Sequence, residues 1–166
     1  ITFDGQDITG LMSHVINKAG IGRTFQITRE LGDMTVLENM VISKVPNSPK
    51  ALIGGRIKPD EREKAMDLLR FVGIDRLAHQ PAKRLSYGQR KLLEFASVLM
   101  TDPRLVLLDE PAGGVNPALL DRIMDRIEEI NRQGTTFLIV EHNMDVVMRL
   151  SHSIIVMAHG QVILQG

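Results

Sequence analysis

Two carboxylates stand side by side at Asp109 and Glu110, directly behind the apolar run Leu105-Val106-Leu107-Leu108. Such a run reads as a buried strand, and in open α/β sheets ligands gather at the carboxyl ends of strands. A hard cation such as Mg²⁺ takes carboxylate oxygen, which suits Asp109 to a metal, directly or through water. Glu110 beside it suits a group that orients or deprotonates an attacking water. His142 follows a second apolar run, "FLIV", from which an imidazole could donate a hydrogen bond to a transferring phosphoryl group. A third stretch, "LSYGQ" at 85–89, offers the Ser86 hydroxyl, and at Gly88 a backbone that comes close to a phosphate. The helix expected after it presents its positive end to anions, although Ser86 is equally a good helix cap. Gln26, at the end of "GRTFQ", can orient a water or lend an oxygen to a metal. Each feature alone has a plainer reading: a solvated acidic turn, a capped helix, a structural histidine, a polar strand end. Together they suggest the handling of a nucleoside triphosphate.

The elements that must position these groups alternate along the second half of the chain. The pattern predicts helices over 88–101, 117–132 and 143–150, and strands over 104–109, 135–140 and 153–158. Such alternation argues for a mostly parallel sheet covered by helices. The helix from Pro117 is the clearest. Leu119, Leu120, Ile123, Met124, Ile127 and Ile130 share one face, Asn116 can cap it and Gly134 ends it. The last segment, "SIIVMAHGQVILQG", reads as a hairpin turning at His159-Gly160, so the tail turns antiparallel. In the first half, "ITFDG" and "IGRTFQ" read as short strands, with Asp4-Gly5 as a tight turn. "MTVLENMVI" starts a helix at Thr35, with Glu38 three residues on as a capping box. "SKVPNSPKALIGGRIKP", with three Pro and two Gly in 17 positions, is a loop, and "DEREKAMDLLRFVGI" an amphipathic helix stopped by Gly73.

The 166 residues suffice for one domain with a real core. With 20 basic and 20 acidic residues the net charge is zero, which argues against a chain-wide grip on nucleic acid. Five Phe and one Tyr are too few for base-stacking platforms. The lack of Cys excludes disulfides and thiolate metal sites and suits a reducing compartment. No uncharged apolar run is long enough to span a bilayer, and no signal peptide opens the chain.

The order of the landmarks says more than any one of them. Gln26, "LSYGQ", "LVLLDEP", a Gly/Asn turn and "EHN" follow one another as in ABC-transporter ATPases, and the sequence resembles that family over essentially all 166 residues. "LSYGQ" is similar to the signature motif, usually LSGGQ, with Tyr87 in place of the first Gly. "LVLLDE" resembles the Walker B strand with its catalytic Glu, "GRTFQ" the Q-loop and "EHN" the H-loop. "DITGL", "AGIGRTFQ", "MTVLENM", "LSYGQRKLLEFA" and "LDEPAGGVNP" look like the ATPases of branched-chain amino-acid importers. Asn116 stands where many ABC ATPases have the Asp of the D-loop, and Asn is usual in this subfamily. Importers of urea or short amides have similar ATPases.

The resemblance implies a P-loop NTPase-like α/β fold with a helical subdomain. Residues 1–26 would begin the ATPase core, 27–84 form the helical subdomain, and 85–166 carry the signature helix and the rest of the core. Two such domains would sandwich two ATP molecules with Mg²⁺. Ser86, Gly88 and Gln89 would meet the nucleotide of the opposite subunit, and Gly114 and Asn116 would form the D-loop. Asp109 and Gln26 would serve the metal, and Glu110, His142 and Gln26 the hydrolysis. The partners implied are transmembrane permease subunits and a second ATPase subunit, on the cytoplasmic face of the membrane and without nucleic acid.

One landmark is absent. The phosphate loop needs G-x-x-x-x-G-K-[ST], and no Gly-Lys pair occurs in this chain. The chain starts at Ile1, after the place where the family carries that loop, and reads as a piece of something longer. The resemblance therefore implies an ATPase fragment that does not bind ATP alone and that leaves apolar surface and a sheet edge uncovered. The alternatives are a non-catalytic truncated interaction module and a non-transport ABC ATPase.

Overall fold

Asp4 and Gly5 both adopt left-handed backbone, φ 48° and 77°, and so turn β1 (Thr2–Phe3) tightly into β2 (Gln6–Asp7). The structure, a computed structural model, describes residues 1–24, 30–43 and 57–166. Gln26 and most of the Pro/Gly-rich loop lie outside the described residues. After β2 comes a helix that periodicity did not announce, α1 (Ser13–Lys18). It is six residues long, has no side-chain cap and buries none of its residues, so no sequence signal marks it. Gly20, at φ 102°, then directs the chain into β3 (Ile21–Arg23).

The helices of the first half form where their caps lie. Thr35 Oγ1 accepts the Glu38 N–H (3.2 Å), and Glu38 Oε2 accepts the Thr35 N–H (2.7 Å), giving the expected capping box of α2 (Val36–Ile42). α3 (Pro59–Val72) has Pro in its first turn and ends on Gly73 at φ 77°. α4 (Tyr87–Leu99) starts from a second capping box, Ser86 with Gln89. The Thr35 N–H first, then its hydroxyl, hold the Glu38 carboxyl below the usual carboxylate range. Folding lowers this group, so its contribution is whole above about pH 4.3 and is lost as pH falls through the folded value. Glu38→Ala should therefore cost about 1 kcal/mol at pH 7, the size of a typical hydrogen bond, and clearly less at pH 3. Urea denaturation at both pH values checks this, and an equal cost at both would count against it.

β3, β4 (Leu105–Asp109) and β5 (Thr136–Val140) form a three-stranded parallel sheet, with Ile21 opposite Leu105 and Asp109 opposite Val140. α5 (Pro117–Arg132) matches its predicted bounds and turns Ile123, Met124, Ile127 and Ile130 inward. α6 (Met144–Leu150) is clipped to α5 by Arg149, whose guanidinium meets Asp125 (2.5 Å) and Glu128 (2.7 Å). A single core joins these layers. It runs from Val36 and Leu69 of the helices, through Leu92 and Leu93 of α4, to Val106 of β4 and Ile127 of α5.

The tail is the expected hairpin, β6 (Ile155–Ala158) and β7 (Gln161–Gln165), turned by His159 and Gly160 at φ 51° and 77°. It does not join the parallel sheet. Among the described residues it leaves Val156, Met157, Ile163 and Leu164 exposed, and the far edge of β5 pairs with no strand.

Candidate functional site

The ladder between β4 and β5 sets the first cluster. It continues one step past β4, where the Glu110 N–H donates to the carbonyl of Val140, the last residue of β5 (3.0 Å). Glu110 and the Glu141-His142 pair therefore leave the sheet together. His142 Nδ1 lies 3.4 Å from Glu110 Oε1. Glu110 holds φ at 47°, a left-handed conformation that costs a residue with a Cβ about 1–2 kcal/mol. Strain of this kind survives where surrounding contacts fix it, and it gathers at functional sites. Asp109 faces the end of β3. Its Oδ2 is 3.8 Å from Arg23 Nη2, and its N–H donates to Thr24 Oγ1 (3.4 Å). Gln26 follows two residues beyond Thr24, outside the described residues.

Sequence reasoning missed Glu141. Its side chain is 1% exposed. Its two oxygens accept N–H groups from Ala112 (2.8 Å), His142 (2.8 Å) and Asn143 (3.0 Å). No local signal could have found it: an acid between an apolar strand and a polar turn goes either inward or out to water. The sequence alone does not say which.

The second cluster surrounds the start of α4. Ser86, Tyr87, Gly88, Gln89, Gly114, Val115 and Asn116 line a cleft of about 490 Å³. Ser86 Oγ accepts the Gln89 N–H (3.3 Å), which leaves its own proton free to donate outward. Gln89 Oε1 accepts the Ser86 N–H (2.9 Å), so this amide oxygen serves the cap. Gly88 lies against Leu119 of α5, where an added Cβ would collide with the leucine side chain. Its lack of a side chain is thus already used by packing. Asn116 Oδ1 accepts the Leu119 N–H (2.9 Å) and caps α5. The Tyr87 hydroxyl donates to the Gly113 carbonyl (3.1 Å), and its ring covers Gly114, which sits at φ 70°.

The structure thus brings Asp109, Glu110 and His142 to one end of the sheet, and Ser86, Gly88, Gln89, Gly114 and Asn116 to one cleft. Among the described residues no group of three His, Cys, Asp or Glu is placed to hold a metal. A Mg²⁺ ion requires less than that. It keeps several waters and takes one or two carboxylates plus phosphate oxygens, which the partly exposed Asp109 carboxylate fits. No helix of the described residues is long and apolar enough to cross a membrane.

Comparison with known proteins gives a consistent result. The family model for ABC transporters matches residues 1–113. The "Probable branched-chain amino acid transport ATP-binding protein LivG" of Archaeoglobus fulgidus is 43% identical over the whole chain, which covers 66% of that relative. The "High-affinity branched-chain amino acid transport ATP-binding protein BraF" of Pseudomonas aeruginosa is 35% identical over the whole chain, with 69% of the relative covered. A solved structure described as the ADP conformation of an ATP-binding cassette of an ABC transporter superposes with a TM-score of 0.85 at 37% identity, covering 99% of this chain and 67% of the other. The chain spans about two thirds of the length of the curated relatives it matches.

Proposed function

This chain belongs to the ABC transporter family of ATP-binding proteins, and from that premise we propose that it carries part of the ATP-hydrolysing machinery of a branched-chain amino-acid importer. One observation supports the reading above the others. Glu110 and His142 stand 3.4 Å apart at the carboxyl end of a parallel sheet, on a backbone strained at the carboxylate. In this reading Glu110 orients and deprotonates the attacking water, and His142 donates a hydrogen bond to the phosphoryl group. Asp109 holds Mg²⁺ together with Gln26, and the metal when bound offsets charge on the phosphates. Ser86, whose hydroxyl proton is spare, and Gly88 with Gln89 present the start of α4 to the nucleotide of a second ATPase subunit. Gly114 and Asn116 shape the neighbouring turn as its D-loop. Residues 27–84 serve as the helical subdomain between residues 1–26 and 85–166, and face the permease partners. Those permeases hold the assembly at the cytoplasmic face of the membrane.

A chimera tests the proposal. The 166 residues replace the segment of Archaeoglobus LivG that they match, so that the relative supplies its remaining third. The expected result is Mg-ATP hydrolysis by the chimera and no detectable Mg-ATP binding by the 166-residue chain alone, which has no Gly-Lys pair. A folded chimera that binds Mg-ATP and turns over none would overturn the assignment. Micromolar binding by the chain alone would show that these residues hold a phosphate site of their own.

A further inference from the structure

The turns that carry Glu110 and His142 are joined by more than those two side chains. Gly113 N–H donates to the Glu110 carbonyl (3.0 Å) and closes a turn over residues 110–113. Inside that turn, the Ala112 N–H donates to Glu141 Oε1 (2.8 Å), 29 residues further along the chain. The second oxygen of the same carboxylate accepts the His142 and Asn143 N–H groups. A carboxylate this deeply buried is tolerated because charge-assisted bonds replace its lost water. The bonds to His142 and Asn143 are local and would serve any helix start. The bond to Ala112 is not local, and a plain cap for α6 does not require it.

The tie has a second arm. The residue after Ala112 offers its carbonyl to the Tyr87 hydroxyl, and Gly114 sits under the Tyr87 ring, where an added Cβ would come within 2.9 Å of Cε1. Lys91 Nζ, one turn further along α4, lies 5.9 Å from the centre of the ring. The short tract 112–114 is thus held by Glu141 on one side and by Tyr87 on the other.

We propose that Glu141 is a positioning residue: its buried carboxylate locks the Glu110 turn to the His142 turn, and Tyr87 carries that lock on to the start of α4. Its role in hydrolysis rests on the ATPase reading above. The lock itself does not, and an experiment without nucleotide separates the two. Glutamine has the size of glutamate but only one acceptor oxygen. Placed at 141 it can serve Ala112 or the His142-Asn143 pair, but not both.

Amide hydrogen exchange followed by NMR on the 166-residue chain provides the test. In the wild-type chain the Ala112 N–H should be protected, although it lies in a turn. Free exchange there would overturn the proposal before any variant is made. In Glu141→Gln, protection should fall by roughly tenfold or more at Ala112 or at His142 and Asn143, while β4 and α4 keep theirs. The His142 ring resonances should shift, and those of His14, in α1, and His79, in the turn before Pro81, should not. Unchanged protection in the folded variant would overturn the lock. A uniform loss across the core would reduce Glu141 to a structural residue. Tyr87→Phe should shift the Gly113 and Gly114 amides, and an unmoved pair would remove Tyr87 from the scheme.

Discussion

Glu110→Gln in the chimera should lower turnover by about a hundredfold or more, with Mg-ATP affinity held within a few-fold. The substitution is nearly isosteric, so the backbone at φ 47° is no more strained than before. The amide keeps a hydrogen-bonding group near His142 Nδ1 but cannot take a proton from water. Single-turnover kinetics with a parallel binding titration separate the two effects. Turnover within threefold of the parent would remove Glu110 as the base. Glu110→Gly provides the informative contrast. It also removes the carboxylate, so turnover should fall equally. Yet glycine adopts left-handed backbone without penalty, so the folded chain should be no less stable than with glutamate. Lost turnover with retained stability is what a residue kept for chemistry against a conformational cost would give.

Much of the geometry of this candidate site was legible in the sequence, for physical reasons that differ from residue to residue. Asp109, Glu110 and His142 could be placed at one end of the sheet because each lies within two residues of the end of an apolar run, where a strand hands over to a polar turn. The caps at Thr35, Ser86 and Asn116 were legible because a hydroxyl or amide ahead of a helical pattern has few other uses. Glu141 was not found, because its partner Ala112 is 29 residues away and no local pattern encodes that distance. Nor was α1, which has neither a cap nor a buried face. Gly88 and Gln89 show a further limit. The motif marks them for phosphate, yet in this fold Gly88 also admits Leu119 and the Gln89 side chain also caps α4. One residue can serve packing and ligand together, and a motif does not separate the two.

The sequence suggested a helical subdomain over residues 27–84, and one buried cluster runs across residue 84. Leu69 of α3 is fully buried and belongs to the same cluster as Leu93 of α4, Val106 of β4 and Ile127 of α5. α4 packs on α2 and α3 and also on β3, so it is common to both halves. If contacts set cooperativity, a cavity in α3 must be felt at the sheet. Leu69→Ala should therefore cost about 2–5 kcal/mol, a large share of the roughly 5–15 kcal/mol of a typical domain. Tyr87 is the only tyrosine and the chain has no tryptophan, so its fluorescence reports from the start of α4 alone, while far-UV circular dichroism reports all helices. The two signals should move to lower urea together, in one step. Ile123→Ala, from the opposite layer, should also shift both signals together. Loss of helical signal in Leu69→Ala with the Tyr87 transition left in place would mean that the helices around α3 unfold by themselves. Residues 27–84 would then be an independent unit, and α4 a boundary rather than the shared wall that its buried faces describe.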